Sequence, residues 1–322
     1  MFSKIRSSTL RSSLIRYHFL STTSSRNNKI PFDTQVFPFS RFEPCCPVSD
    51  VAPATNGFVP CQKHPLPNVL GRKIDMTMPM TGRSDTERHV VMCVGPNGRE
   101  WERAKVETVV DGPVYASNQL YNEYLRSPAH RNNDIITEKD TLMTVCDRIP
   151  TSNNNNNNCD VMVFPEFVFY PSLDPAQLAT SDVAKVLQTI WHNPSHPTLP
   201  VVAGQQPIKD ENGDPVDTVV LVCTHERRDM RCGKIGPLIM DAFKKSIQKR
   251  HHSSRRILIY GTSHFGGHKF AGNVIIHQKG LGGHMYGNVR DCMVDDIVDR
   301  HIFNGKVIKE LWRGQVTPPT LS

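Results

Sequence analysis

Residues 218–233 read TVVLVCTHERRDMRCG, and their order decides the fold. Thr218–Val222 is an unbroken run of β-branched and aliphatic residues, the pattern of a strand buried on both faces. It ends on Cys223. Eight residues separate Cys223 from Cys232, and the charged loop between them leads into an amphipathic helix over 236–249, with Leu238, Ile239, Ala242, Phe243 and Ile247 near helical spacing. A second strand follows (Arg256–Tyr260, RILIY), closed by Gly261 and then by Ser263-His264-Phe265-Gly266-Gly267-His268. Asn273–His277 predicts another strand, 280–283 a glycine-rich turn, and 291–303 a helix with Met293, Ile297 and Ile302 on one side.

Strand, loop, helix, strand, loop, strand, turn, helix resembles a thioredoxin-like sandwich. Upstream, the same grammar appears once already. His89–Val94 (HVVMCV) predicts a buried strand ended by Gly95-Pro96-Asn97-Gly98, 114–126 a helix, Asp140–Cys146 a strand, and Val161–Tyr170 an apolar segment broken by Pro165. Asp174-Pro175 opens a helix running to Trp191, and the prolines of 192–200 end it. The predicted class is α/β. A thioredoxin-like C-terminal domain at 201–322 follows a second α/β domain at 89–200. Residues 31–88, rich in proline, read as an extended loop-rich segment, and the asparagine tract of 153–158 as a surface insertion without a packing role.

The net charge of +7 invites a nucleic-acid reading, but six of the basic residues (Lys4, Arg6, Arg11, Arg16, Arg26 and Lys29) lie in residues 1–30, which contain no acid. Subtracting six from +7 leaves +1 for the remainder, too little for a basic binding face. The Arg- and Ser-rich leader, with Phe2, Ile5, Leu10, Leu14, Ile15 and Phe19 on a loose apolar face, reads as a mitochondrial presequence. No apolar run reaches the roughly 18 residues of a bilayer span.

Nine cysteines stand at irregular spacing: Cys45, Cys46, Cys61, Cys93, Cys146, Cys159, Cys223, Cys232 and Cys292. There is no CxxC, so a thioredoxin-type dithiol is not written in the chain. The pair Cys223/Cys232 and the pair His264/His268 are different. Both segments leave the C-terminal ends of strands, where open α/β sheets hold ligands. Two thiolates and two imidazoles suit zinc or an iron–sulfur cluster. Structural zinc favours cysteines two to four residues apart, and here the separation is wider. Gly266 and Gly267 make a regular helix through HFGGH unfavourable and let backbone approach a bulky group.

CTHERRDMRCG followed by SHFGGHKFAGN resembles the sucrase/ferredoxin-like family of thioredoxin-like ferredoxins, most clearly over 217–315, and Leu311-Trp312-Arg313-Gly314 resembles the family's tail. The resemblance implies a bis-histidinyl [2Fe–2S] centre held by Cys223, Cys232, His264 and His268. A diferric core with two sulfides and two thiolates is neutral, whereas four thiolates leave two negative charges, so the potential should lie above that of a four-cysteine ferredoxin. Rieske centres move the same way, to about −150 to +300 mV against about −400 mV. The expected function is one-electron transfer in mitochondria with protein redox partners, since no P-loop, dinucleotide fingerprint or substrate pocket is legible. Two rivals remain. One is a thiol–disulfide oxidoreductase working through Cys45, Cys46 or Cys61; the other is a structural zinc module.

The remaining polar residues receive structural readings. His225 is expected on the exposed face of the arginine-rich loop, and Arg227, Arg228 and Asp229 in local ion pairs. His277 and His284 are expected in core or turn positions, Trp312 packed on the core, His251-His252 at a solvated helix end, and Cys292 buried in a helix.

Overall fold

The computed structural model describes residues 39–40, 74, 86–127, 141–152, 157–192, 198–250 and 255–319. The leader, Cys45, Cys46, Cys61, His251-His252 and most of the asparagine tract lie outside them. Along the chain the elements are β1 (Phe39–Ser40), β2 (Arg88–Cys93), α1 (Pro113–Arg126), β3 (Thr141–Cys146), β4 (Cys159–Phe164), β5 (Val168–Leu173), α2 (Asp182–His192) and β6 (Gln206–Pro207). Then come β7 (Thr218–Cys223), α3 (Met230–Gln248), β8 (Ile257–Thr262), β9 (Val274–Gln278), β10 (Gly282–Tyr286), α4 (Val294–Ile297), β11 (Val307–Ile308) and β12 (Trp312–Thr317).

Ten strands form one mixed sheet in the order β12-β10-β9-β7-β8-β3-β2-β4-β5-β6. The chain is α/β, as its sequence predicts. The two halves of the sheet share one arrangement. In the C-terminal half β7 pairs parallel with β8 and antiparallel with β9, and β9 antiparallel with β10. In the N-terminal half β2 pairs parallel with β3 and antiparallel with β4, and β4 antiparallel with β5. The order second-first-third-fourth, with a helix joining first to second, is thioredoxin-like in both. The parallel pairs need that crossover helix, whereas the antiparallel pairs need only turns.

The halves join where β3 meets β8 antiparallel, with Cys146 opposite Thr262. Cys93 is level with Cys146, and Cys223 with Thr262. The last residues of four central strands therefore form one row across the seam, at the carboxyl ends where ligands sit in such sheets. The continuous apolar runs make this possible. Every residue of β2, β4 and β7 is buried, which requires cover on both faces. On the N-terminal half, α1 and α2 supply Val114, Leu120, Val186, Leu187 and Ile190 against Val90, Met92, Val161 and Val163. On the C-terminal half, Ile235, Ile239 and Phe243 of α3 are buried, as are Val294 and Ile297 of α4. Each such side chain contributes about 1.5–3 kcal/mol by leaving water.

The helix predicted for 236–249 begins six residues earlier. Gly233, Gly236 and Pro237 disguise its first turns, because glycine and proline are poor helix formers. The predicted helix over 291–303 is instead a succession of tight, regular and wide turns, with Val298–Phe303 as a π-helical segment. Strands β10 and β12 carry no local pattern that predicts them. Gly282 and Gly283 open β10, and cross-strand pairing rather than propensity makes it a strand.

The sheet curls so that the start of β2 reaches the opposite edge. The Thr86 hydroxyl donates to the Val316 carbonyl, and His89 Nδ1 lies 2.8 Å from His277 Nε2. His277 stacks on Phe164 at 4.0 Å between ring centres. His284 accepts from the Trp312 indole at 3.2 Å, and His301 is hydrogen bonded to the Tyr286 hydroxyl at 2.5 Å. These histidines are core residues, as expected for His277 and His284, and Trp312 is packed. Among the described residues no helix is long and apolar enough to cross a membrane.

Candidate metal centre

Cys223 closes β7, and its amide donates to the Asn273 carbonyl at 3.0 Å, so the strand pairing fixes its backbone. Cys232 is the third residue of α3. The helix starts where it does because Asp229 caps it, accepting from the Arg231 amide at 2.9 Å. Both sulfurs are buried. His264 follows β8 by two residues, and its Nδ1 lies 3.9 Å from Cys223 Sγ. The donor atoms of Cys223, Cys232 and His264 all fall within 4.8 Å of one another. His268 stands beside them, its ring centre 5.3 Å from that of His264. The Nδ1 atom of His268 is buried and has no hydrogen-bond partner among the described residues.

The two sulfurs share a proton. The Cys232 thiol donates to Cys223, and this bond, helped by His264 and opposed by burial, brings the Cys223 thiol down to about 6. Cys232 is pushed up in return, chiefly by the same bond and then by burial. Burial, followed by the neighbouring His264, lowers His268, keeping its imidazole neutral with a lone pair to offer. Two neighbouring sulfurs, one with a lowered thiol, and two imidazole nitrogens match what a soft or borderline metal requires. The orphaned His268 nitrogen fits a ligand that the group itself would satisfy.

The loop holding the histidines is braced from below. Arg313 Nη1 donates to the Gly266 carbonyl at 3.3 Å and to Asn273 Oδ1 at 2.6 Å, while Asn273 Nδ2 donates to the Gly267 carbonyl at 3.0 Å. Gly267 has φ +71°, and a Cβ there would collide with the Arg313 guanidinium. The double glycine thus serves both the turn and the close seat of an arginine. Neither Arg313 nor Asn273 stands out in the sequence as part of a site, although the tail motif at 311–314 was a signal for the first.

The structure corrects the expectations for His225 and Cys292. His225 is 1% exposed, not on an outer loop face. Its Nε2 lies 2.8 Å from the Arg103 carbonyl, a partner far away in sequence. Asp229 does stand in a local ion pair, a two-point contact with Arg231 at 2.8 and 2.9 Å. Cys292, expected buried in a helix, is half-buried in the single turn Asp291–Met293. Beside the loop, moreover, an opening of about 740 Å³ is lined by Pro96, Trp101, Asp147, Thr224, His225 and Arg227; the sequence shows no sign of it.

Burial works against the Asp229 carboxylate, yet the Arg231 guanidinium and amide hold it down to about 2. Asp229→Ala removes the cap and the buried partner of Arg231 together, and should cost about 3–5 kcal/mol in urea unfolding. Asp229→Asn keeps the cap and should recover about 1 kcal/mol of it. Equal losses in the two variants would mean that the cap contributes nothing.

A sequence profile described as sucrase/ferredoxin-like matches residues 80–314. Altered inheritance of mitochondria protein 32 from Debaryomyces hansenii is 39% identical over 127 residues, 39% of this chain and 45% of that protein. The protein of the same name from Saccharomyces cerevisiae (strain YJM789) is 31% identical over 170 residues, 49% of this chain and 50% of that one. The chain thus spans half or less of the length of these curated relatives. Among solved structures, a thioredoxin-like [2Fe–2S] ferredoxin from Aquifex aeolicus aligns at 21% identity and a TM-score of 0.28, covering 33% of this chain and 99% of that one.

Proposed function

The chain belongs to the sucrase/ferredoxin-like family, and from that premise we propose that it is a mitochondrial electron-transfer protein whose [2Fe–2S] cluster is held by Cys223, Cys232, His264 and His268. The observation that carries the reading is the meeting of two buried sulfurs and the His264 nitrogen within 4.8 Å, beside a buried His268 nitrogen that lacks a partner. When bound, such a cluster takes up and returns one electron. The chain's own residues do the rest. Cys223 and Cys232 bind as thiolates and give up their protons on loading, while His264 and His268 offer ring nitrogens as donors. Arg313 and Asn273 fix the histidine loop, so little reorganisation accompanies a change of charge in the site. Arg227 and Arg228 are exposed on the neighbouring loop and suit a partner with an acidic face. The mitochondrial location is supported by the acid-free leader and by the name of the relatives.

The test is anaerobic purification of the full chain. We expect a coloured protein with about two irons and two acid-labile sulfides per chain, and a spin-½ EPR signal on reduction. A colourless protein carrying one zinc ion would replace this reading with the structural-zinc one.

A further inference from the structure

We propose that the N-terminal half of the sheet positions His264, and that His225 is the positioning residue through which it does so. The inference rests on His264 being a cluster ligand, as proposed above.

His225 follows Cys223 by two residues and is buried. Its Nε2 lies 2.8 Å from the Arg103 carbonyl oxygen. A carbonyl only accepts, so Nε2 carries the proton. Its Nδ1 receives the backbone amide of His264 at 3.4 Å, and an amide only donates, so Nδ1 is bare. The two bonds together select one neutral tautomer without reference to pH. The ring is also held in place sideways. Trp101 stands edge-on to it at 5.7 Å and 89°, and the Trp101 indole is itself tied to the Gly95 carbonyl at 2.8 Å. Gly95, Trp101 and Arg103 all belong to the segment that follows β2.

The same half grips the residues just before His264. Ser263 donates its amide to the Val145 carbonyl at 2.9 Å, and its hydroxyl accepts the Val145 amide at 3.1 Å. The Thr262 hydroxyl donates to the same carbonyl at 2.9 Å. His264 is therefore tied to the N-terminal half indirectly, through His225, which accepts its amide and reaches Arg103, and through its predecessor Ser263, whereas Gly266 and Gly267 are held by Arg313 and Asn273 from the C-terminal half. The N-terminal half thereby gains a role, because it holds one proposed ligand of the other half's site.

Three variants of the full chain separate the two bonds. His225→Asn places an oxygen near the position of Nδ1 and keeps the acceptor for His264. His225→Gln reaches towards Arg103 and loses that acceptor. His225→Ala loses both. Hydrogen exchange read at the His264 amide should be about tenfold or more faster in all three variants, because His225→Asn breaks the bond to Arg103, His225→Gln the bond to His264, and His225→Ala both. Amides of Val219–Val222 should not change. In the iron-loaded protein, each variant should shift the EPR g values and speed chelator-driven iron loss by about 10-fold, His225→Ala at least as much as the other two. A native His264 exchange rate in His225→Asn, where only the Arg103 bond is lost, or acceleration spread uniformly over β7, overturns the proposal. If His225→Ala fails to fold, His225→Asn compared with the native chain decides. The exchange measurement needs no iron, so a native chain without a cluster defeats the proposed function while leaving this link to be judged by itself.

Discussion

Cys223→Ala should abolish the visible colour and the reduced-state EPR signal, and lower bound iron by about tenfold or more, while the chain stays folded. Cys223 is the donor whose proton is already loosened, through the bond from Cys232. The substitution removes the sulfur of the pair whose thiol is lowered. The loss to the fold is small by comparison, since a buried cysteine behaves as a small apolar residue and deleting its sulfur costs roughly the 1–2 kcal/mol of one or two methylenes. Cys292→Ala is the control. That thiol is half-buried on another turn, and its loss should leave colour and iron unchanged. Colour that survives Cys223→Ala but disappears with Cys93, Cys146 or Cys159 would move the centre into the other half and end the ligand assignment.

Which parts of the fold and the site were legible depends on where each contact lies in sequence. The strand ending on Cys223 was plain because five consecutive residues, mostly β-branched and apolar, leave few alternatives. The doubled grammar of strand, helix and strand was legible too, and it becomes the two like halves of one sheet. The start of α3 was hidden for a tertiary reason. A Cβ at Gly236 would collide with the Cys223 carbonyl, and one at Gly233 with the Glu226 side chain. The helix presses so closely on its own loop that only glycine fits, and glycine lowers the apparent helix propensity. His225 misled for the opposite reason. It lies in a run of charged residues, and nothing local announces that the Arg103 carbonyl will bury it. Arg313 and Asn273 were invisible in the same way, since their bonds to the Gly266–Gly267 turn exist only after β12 and β9 have paired through β10.

A steep loss of stability between pH 7 and pH 5 is the second large effect expected. Burial lowers His277 to about 3, with the neighbouring His284 adding to it, and lowers His284 to about 4 against the opposing Leu281 carbonyl. His301 is lowered well below its ordinary value by burial, then by His284 and Arg255. All three are at most 1% exposed, so water screens little. A histidine lowered in the folded state binds its proton in the unfolded chain first. Its contribution to stability is present above about pH 6.5 and is lost as pH falls towards the folded value. At pH 5 that is about 2 kcal/mol per histidine, or about 6 kcal/mol for the three, out of the roughly 5–15 kcal/mol typical of a folded domain. Urea unfolding followed at pH 7, 6 and 5 should therefore show a falling free energy to which these three rings contribute a slope approaching about 4 kcal/mol per pH unit, about three protons taken up on unfolding. His284→Gln removes one titrating ring and should reduce that slope by about a third, whatever it costs at pH 7. A free energy that stays level from pH 7 to 5 would mean that the buried rings around Phe164, Trp312 and Tyr286 reach water far more readily than their packing allows.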